Sequence, residues 1–366
     1  MHLRLLELLR CPDCGAMFSL SAAWGPSDPP EVVTGLLACA NQHLFPVVGA
    51  IPRIYPGALA VHRQNLEQFP ELPASGPVPS GSQTADIRRT RESFSREWAN
   101  HRLGDRTWYL DLESRVQGTF LDAVRIPPGE LRHKIVLDAG CGNGSQSVAY
   151  GQHVAEVIAI DLSSGVELGQ ALLEQWPGVR LDRVHFVQAD LRHAPLGSGS
   201  VDIIHAAGVL HHTPDTYASF KALLPFLRPG GTFYVWVYRY ERLVTPLLRL
   251  LRAVTTRIPV AVLHRLSQLL ALPFIAFTMA MNALGLRAYP RISRREAALA
   301  LMDIFGPPYA HHHSPPEVTG WFQDHGFTDI WSCDHSRRGF AVCGHRPTAD
   351  RADLKRQSWK GAAPFQ

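Results

Sequence analysis

From Lys134 onward, short apolar runs alternate with stretches of helical periodicity. The runs Ile135–Asp138, Val157–Ile160, His185–Gln188, Val201–Ala206 and Thr232–Val237 are each bounded by Gly, Pro or Asp, which marks them as buried strands. Strands separated by helical patterns predict an α/β architecture: a mostly parallel sheet with helices on both faces. After Tyr238 the alternation stops. It returns at Ser314 with a helix over Pro316–His325 closed by Gly326, then two runs, Thr328–Asp334 and Gly339–Gly344. Those two predict an antiparallel hairpin that finishes the sheet. Upstream, the chain turns helical at Ala85 and carries Phe94, Trp98, Trp108 and Tyr109, while Glu71 to Thr84 is rich in Pro, Gly and Ser and reads as a linker. The expected division is a small unit over 1–57, a linker over 58–84, a main domain over 85–238 and 301–345, a helical insertion over 239–300, and a polar tail over 346–366 expected to be disordered.

Composition narrows the function classes. With 46% hydrophobic and 19% charged positions in 366 residues, the chain buries enough surface for two or three compact units. Thirty-six Lys+Arg against thirty-two Asp+Glu leave only +4, which disfavours a protein whose affinity comes from nucleic-acid phosphates. Six cysteines in so long a chain do not make a disulfide scaffold, and one Cys-x-x-Cys pair points to a metal in a reducing compartment, so the cytoplasm is expected. Arg4, Glu7 and Arg10 break the leucines of Met1–Arg10, which therefore read as a short helix and not as a signal peptide.

The first chemistry follows the first of these strands. In Ile135-Val-Leu-Asp-Ala-Gly-Cys-Gly-Asn-Gly144 three glycines alternate directly after a strand, where only glycine lets the backbone turn tightly while a ligand approaches it. A dinucleotide loop of the Gly-x-Gly-x-x-Gly type wants a glycine at 145, which is Ser145. The second strand ends at Asp161, followed by Leu162, where a carboxylate can accept two ribose hydroxyls. The third ends before Asp190 and Leu191, where a carboxylate can accept an adenine amino group.

This constellation resembles the class I S-adenosylmethionine-dependent methyltransferases. Their Asp-x-Gly-x-Gly-x-Gly loop, ribose-binding acid and adenine-side acid match Asp138, Gly140, Gly142, Gly144, Asp161 and Asp190. The segments Val201–Asp215 and Leu227-Arg-Pro-Gly-Gly-Thr-Phe233 resemble the same family. The resemblance implies a doubly wound, Rossmann-like fold and S-adenosylmethionine as cofactor, with Ala206 meeting its methionine end where many relatives carry Ser. His211 and His212, just beyond the fourth strand, are candidate bases for a hydroxyl or carbon acceptor, with helix capping or solvation as the alternative for each.

Cys11-Pro-Asp-Cys14 and Cys39-Ala-Asn-Gln-His43 supply three thiolates and an imidazole in two short-spaced pairs, the donor set of a closed, structural, four-coordinate Zn²⁺ site. The alternative is a redox Cys-x-x-Cys pair with His43 incidental. The flanking residues Leu8–Gly15 and His43–Pro52 are similar to the zinc-ribbon-like activator proteins that partner methyltransferases, and the ligand set is also similar to the zinc head of bacterial ribosomal RNA guanine methyltransferases.

Residues 241–310 carry nine Arg, no Lys and three acids. Arg249, Arg252 and Thr256 fall at helical spacing opposite Leu247, Leu248, Leu250, Leu251 and Val254, so this helix is expected to be amphipathic, with its arginines available to a membrane. Leu266–Leu286 is uncharged but interrupted by Pro273, which predicts two helices split at that proline. The insertion is either a lid or a monotopic surface that meets anionic lipid. Beyond it, the proline-bounded loop with Tyr309, His311, His312 and His313 is either an acceptor wall, in which Tyr309, His311 and His313 are catalytic candidates, or a solvated histidine-rich loop. The expectation is a methyltransferase acting on a small or lipid-linked acceptor; an RNA methyltransferase guided by the zinc head and a non-catalytic cofactor-binding scaffold are the alternatives.

Overall fold

A computed structural model of the chain describes residues 1–25, 31–67, 69, 85–102, 105–106, 110–176, 178–285, 291–336 and 338–348. Most of the expected linker (68 and 70–84), Trp108 and Tyr109, and the tail beyond 348 lie outside the described residues.

Among the described residues eleven strands join in one sheet. The head contributes β1 (Phe18–Trp24), β2 (Thr34–Cys39), β3 (Leu44–Val48) and β4 (Ile51–Ile54). The main domain contributes β5 (Ile135–Ala139), β6 (Glu156–Asp161), β7 (Val184–Ala189), β8 (Val201–Ala207), β9 (Leu227–Tyr238), β10 (Thr328–Ser336) and β11 (Gly339–His345). The order is β1-β2-β3-β4-β7-β6-β5-β8-β9-β11-β10. Strands β7, β6, β5, β8 and β9 run parallel, and β11 enters antiparallel between β9 and β10. The expected α/β sheet with its final hairpin is present. The chain builds outward from β5 first one way and then the other, so the β5/β8 boundary is the point at which strand order reverses and where a crevice opens at the carboxyl ends of the strands. The five parallel strands lack polar-apolar alternation because helices cover both faces: Leu137, Ile158, Val187 and Val235 pack into one core and Val136, Val157, Phe186 and Ile203 into the other.

The head shares the main core. Leu5, Leu9, Leu37 and Phe45 cluster with Val187, Ala189, Leu191 and Leu196. Its last strand pairs parallel with β7, Arg53 opposite Gln188 and Ile54 opposite Ala189. Arg53 is buried; its guanidinium donates to Gln188 Oε1 at 2.9 Å and meets Glu167 at 2.9 Å.

Among the described residues three helices form the insertion: Val244–Thr255, Val260–Ala283 and Arg294–Phe305. The second is one continuous helix with Pro273 inside it, which corrects the expected split. A proline removes one backbone donor, and here Val260, Leu263, Ser267, Ala271 and Thr278 hold the helix along a single buried face, against helix Arg294–Phe305. With 24 residues it is also long and apolar enough to cross a bilayer. The first helix has the reverse orientation to the one expected. Arg252 is only 7% exposed and donates to the carbonyls of Ile304 and Pro307. The end of helix Arg294–Phe305 leaves carbonyls that need donors, and the guanidinium supplies them. Arg252 is therefore not available to a membrane.

Candidate active site

The crevice at the strand ends is an open cleft. Its floor is the loop after β5. Gly140, Gly142 and Gly144 hold φ of 78°, 56° and 71°, in the region that favours glycine. A Cβ on Gly140 would lie 2.3 Å from Val209, and one on Gly142 would lie 2.6 Å from the Trp98 ring. Both glycines line the cleft. Gly144 does not: it packs against Phe186 and Gly169 and seats the helix Ser145–Tyr150 on the sheet, a correction to its expected place at the ligand.

Asp138 is buried at the end of β5, where it accepts from Ser147 Oγ at 2.6 Å and lies 3.7 Å from His205 Nδ1. Asp161 accepts the Gly142 N–H at 2.9 Å and the Ser163 N–H at 2.7 Å, and burial raises its carboxyl above the ordinary aspartate value. Two backbone donors occupy only part of its acceptor capacity, so the carboxylate could hold a diol beside them. Asp190 accepts from the Arg192 N–H at 3.0 Å and pairs with its guanidinium at 2.6 Å. Asp138, Asp161, Leu162, Asp190 and Leu191 all line the cleft. Ala206 is fully buried in β8 and does not; the next two residues, Ala207 and Gly208, line it instead.

The facing wall comes from helix Ala85–Ala99, through Phe94 and Trp98, and from His212 and Tyr309. Of five candidate catalytic residues, these last two reach the cleft. His211 is wholly buried against Tyr238 and Trp236, with neither ring nitrogen hydrogen-bonded, and burial drives its pKa far below the ordinary histidine value. His311 Nε2 donates to the Thr213 carbonyl at 3.1 Å, and His313 bonds Glu317 at 2.8 Å and Thr216 at 3.0 Å. Both fasten the loop to neighbouring elements and do not line the cleft, because the chain here runs beside Tyr238, with the His313 N–H donating to the Tyr238 carbonyl at 2.9 Å. His211, His311 and His313 are thus corrected from catalytic to structural positions.

Two acids that sequence reasoning passed over stand behind this wall. His212 Nδ1–H donates to the Tyr309 carbonyl at 2.9 Å, leaving Nε2 3.5 Å from Asp303 Oδ1. Both of these atoms are buried without a hydrogen-bond partner, and the other oxygen of Asp303 accepts from Tyr238. Glu97 is 4% exposed, and burial, reinforced by Asp303 and Asp161, holds its carboxyl well above the glutamate range. The available signal was their context, a lone acid in Ala297-Ala-Leu-Ala-Leu-Met-Asp-Ile-Phe305 and another beside Trp98.

In the head, Cys11, Cys14, Cys39 and His43 bring their four donor atoms within 4.8 Å of one another. Cys14 Sγ lies 3.6 Å from Cys39 Sγ, and His43 Nδ1 lies 3.4 Å from the sulfurs of Cys11 and Cys39. Zn–S bonds of about 2.3 Å and Zn–N bonds of about 2.0 Å give tetrahedral edges of about 3.5–3.8 Å, so the donor set fits zinc.

Comparison with known proteins adds to this geometry. Residues 137–235 match the family model described as a methyltransferase domain. Malonyl-[acyl-carrier protein] O-methyltransferase of Pseudescherichia vulneris is 34% identical over 121 residues, 33% of this chain and 45% of that one. Ubiquinone biosynthesis O-methyltransferase of Xanthomonas campestris pv. campestris is 36% identical over 101 residues, 27% of this chain and 41% of that one. The chain thus spans less than half the length of these relatives. Among solved structures, the 1,6-didemethyltoxoflavin-N1-methyltransferase of Burkholderia thailandensis, with S-adenosylhomocysteine bound, is similar at a TM-score of 0.41 and 17% identity, covering 75% of this chain and 94% of that one. Topology, glycine loop and family match converge on one conclusion: the chain carries a methyltransferase domain on a Rossmann-like α/β fold.

Proposed function

We propose that the chain is a cytoplasmic S-adenosylmethionine-dependent methyltransferase acting on a small or lipophilic acceptor, with a structural zinc in its head. The observation that carries this reading is the cleft itself: one wall is the glycine loop with Asp161 and Asp190, and the other is Phe94, Trp98, Tyr309 and His212. S-adenosylmethionine, when bound, supplies a methyl already activated by its sulfonium. The chain's own residues then bind and orient. Asp161 takes the ribose hydroxyls, Asp190 and Leu191 flank the adenine, and the Gly140–Gly142 backbone approaches the cofactor without a Cβ in the way. The aromatic wall excludes water and favours a flat or apolar acceptor. His212 is anchored through its Nδ1–H to the Tyr309 carbonyl with Nε2 turned to Asp303, so it holds this wall in place beside the acceptor.

Calorimetry with S-adenosylmethionine, followed by transfer of labelled methyl to a lipid and small-molecule extract and to total RNA, tests the proposal. Label in the extract supports it. Label in RNA alone makes the enzyme an RNA methyltransferase, and tight binding without transfer to either makes it a scaffold.

A further inference from the structure

The insertion carries a surface that methyl transfer leaves unused. In helix Val244–Thr255 the buried residues are Thr245 and Arg252. At 3.6 residues per turn, Leu243, Leu247, Leu250, Leu251 and Val254 fall within an arc of about 100° on the opposite side. All five are exposed, Leu250 at 69%. A helix that packs its guanidinium inward and turns its leucines out reverses the pattern of a helix whose outer face meets water. Helix Val260–Ala283 also turns apolar side chains outward: away from its buried face, Leu269, Leu272, Phe277 and Met279 are each more than half exposed. Two successive helices with this character exceed the scattered apolar residues of an ordinary surface.

Charge selects the occupant. No Asp or Glu occurs from Arg242 to Arg295, and Arg242, Arg249, Arg257 and Arg265 are exposed on the insertion, Arg265 on the same side of its helix as Leu269, Leu272 and Met279. A second copy of the chain would set these cations against one another, whereas anionic headgroups complement them and acyl chains receive the leucines. We propose that helices Val244–Thr255 and Val260–Ala283 dock the chain peripherally on an anionic phospholipid bilayer. The attachment is peripheral because the longer helix stays held along its Ser267 and Thr278 face, and the shorter one has 12 residues, too few to span. Arg89 of the cleft-wall helix donates to the Thr255 and Ile258 carbonyls at 3.3 and 2.7 Å, so the docked helices are tied directly to the element that carries Phe94 and Trp98. A lipid-linked acceptor then reaches the cleft from the membrane side. That last step rests on the methyl-transfer reading; the docking does not.

The test is co-sedimentation of the full chain with vesicles of phosphatidylcholine alone and of phosphatidylcholine with phosphatidylglycerol, at low and high salt, alongside sedimentation velocity without lipid. Expected are pelleting with the anionic vesicles at low salt, a drop in affinity of about tenfold or more at high salt, and loss of pelleting in a Leu250→Glu/Leu269→Glu/Phe277→Glu variant whose circular dichroism and S-adenosylmethionine affinity are unchanged. Three results overturn the docking: a protein that stays in the supernatant throughout, a variant that pellets like the parent, or a parent dimer that the variant dissociates. Loss of cofactor binding with vesicle binding intact overturns only the methyl-transfer reading.

Discussion

At the scale of single residues, the cleft is governed by where carboxylates are placed and what they touch. Asp161 accepts from two backbone donors before any ligand arrives, so its removal costs the ligand's bonds and also leaves the Gly142 and Ser163 N–H groups without their acceptor. Asp161→Ala is expected to weaken S-adenosylmethionine binding by about 1.5–3 kcal/mol, the range for hydrogen bonds to a charged group, and to lower the melting temperature without unfolding the sheet. Calorimetry beside a thermal melt checks both halves, and unchanged affinity removes the ribose assignment. Glu97 gives a second expectation with a definite sign. Its folded carboxyl is raised, so its contribution to stability is whole below the ordinary glutamate value of 4.5 and is lost as pH rises toward the folded value. Glu97→Gln should therefore gain stability over the parent as pH rises above 4.5; parallel dependence of the two melting temperatures on pH would contradict the assignment.

Elements differ in how much of themselves the sequence discloses. The parallel strands were legible because both faces are buried and nothing interrupts their apolar runs, and the glycine loop was legible because a positive φ admits little else. His211 and His212 look identical in sequence, yet only a third element, the loop at Tyr309, decides which of them faces the cleft. Asp303 was illegible for the same reason: it meets His212 and Tyr238 from a helix of the insertion, a contact that no local period records. The helix Val244–Thr255 has an amphipathic period that gives its two faces but not which one packs inward; the carbonyls of Ile304 and Pro307 settle that. Pro273 reverses the propensity argument, since tertiary packing carries the helix through it. Because the ring costs a helix interior about 3 kcal/mol relative to alanine, Pro273→Ala should raise stability by about 1–3 kcal/mol if the helix axis is unchanged. Denaturant melts measure this, and a less stable variant would mean that the packing depends on the proline's bend.

At the scale of the whole molecule, the head and the methyltransferase domain share one sheet and one core, so loss of the metal should be felt beyond residues 1–57. One zinc per chain is expected by elemental analysis, and Cys11→Ser or Cys39→Ser should lose it and lower the melting temperature of the entire chain in a single transition. A zinc-free protein with Cys11 and Cys14 disulfide-linked would restore the redox alternative. The pairing of β4 with β7 also sets an order of events during synthesis. Arg53 and its partner Gln188 are 135 residues apart, and at about 5–20 residues per second the head waits roughly 7 to 27 seconds on the ribosome for the strand it must join. Its metal donors, by contrast, all lie within residues 11–43 and are complete almost at once, so ion capture can hold the nascent head in shape while its docking edge is still unmade.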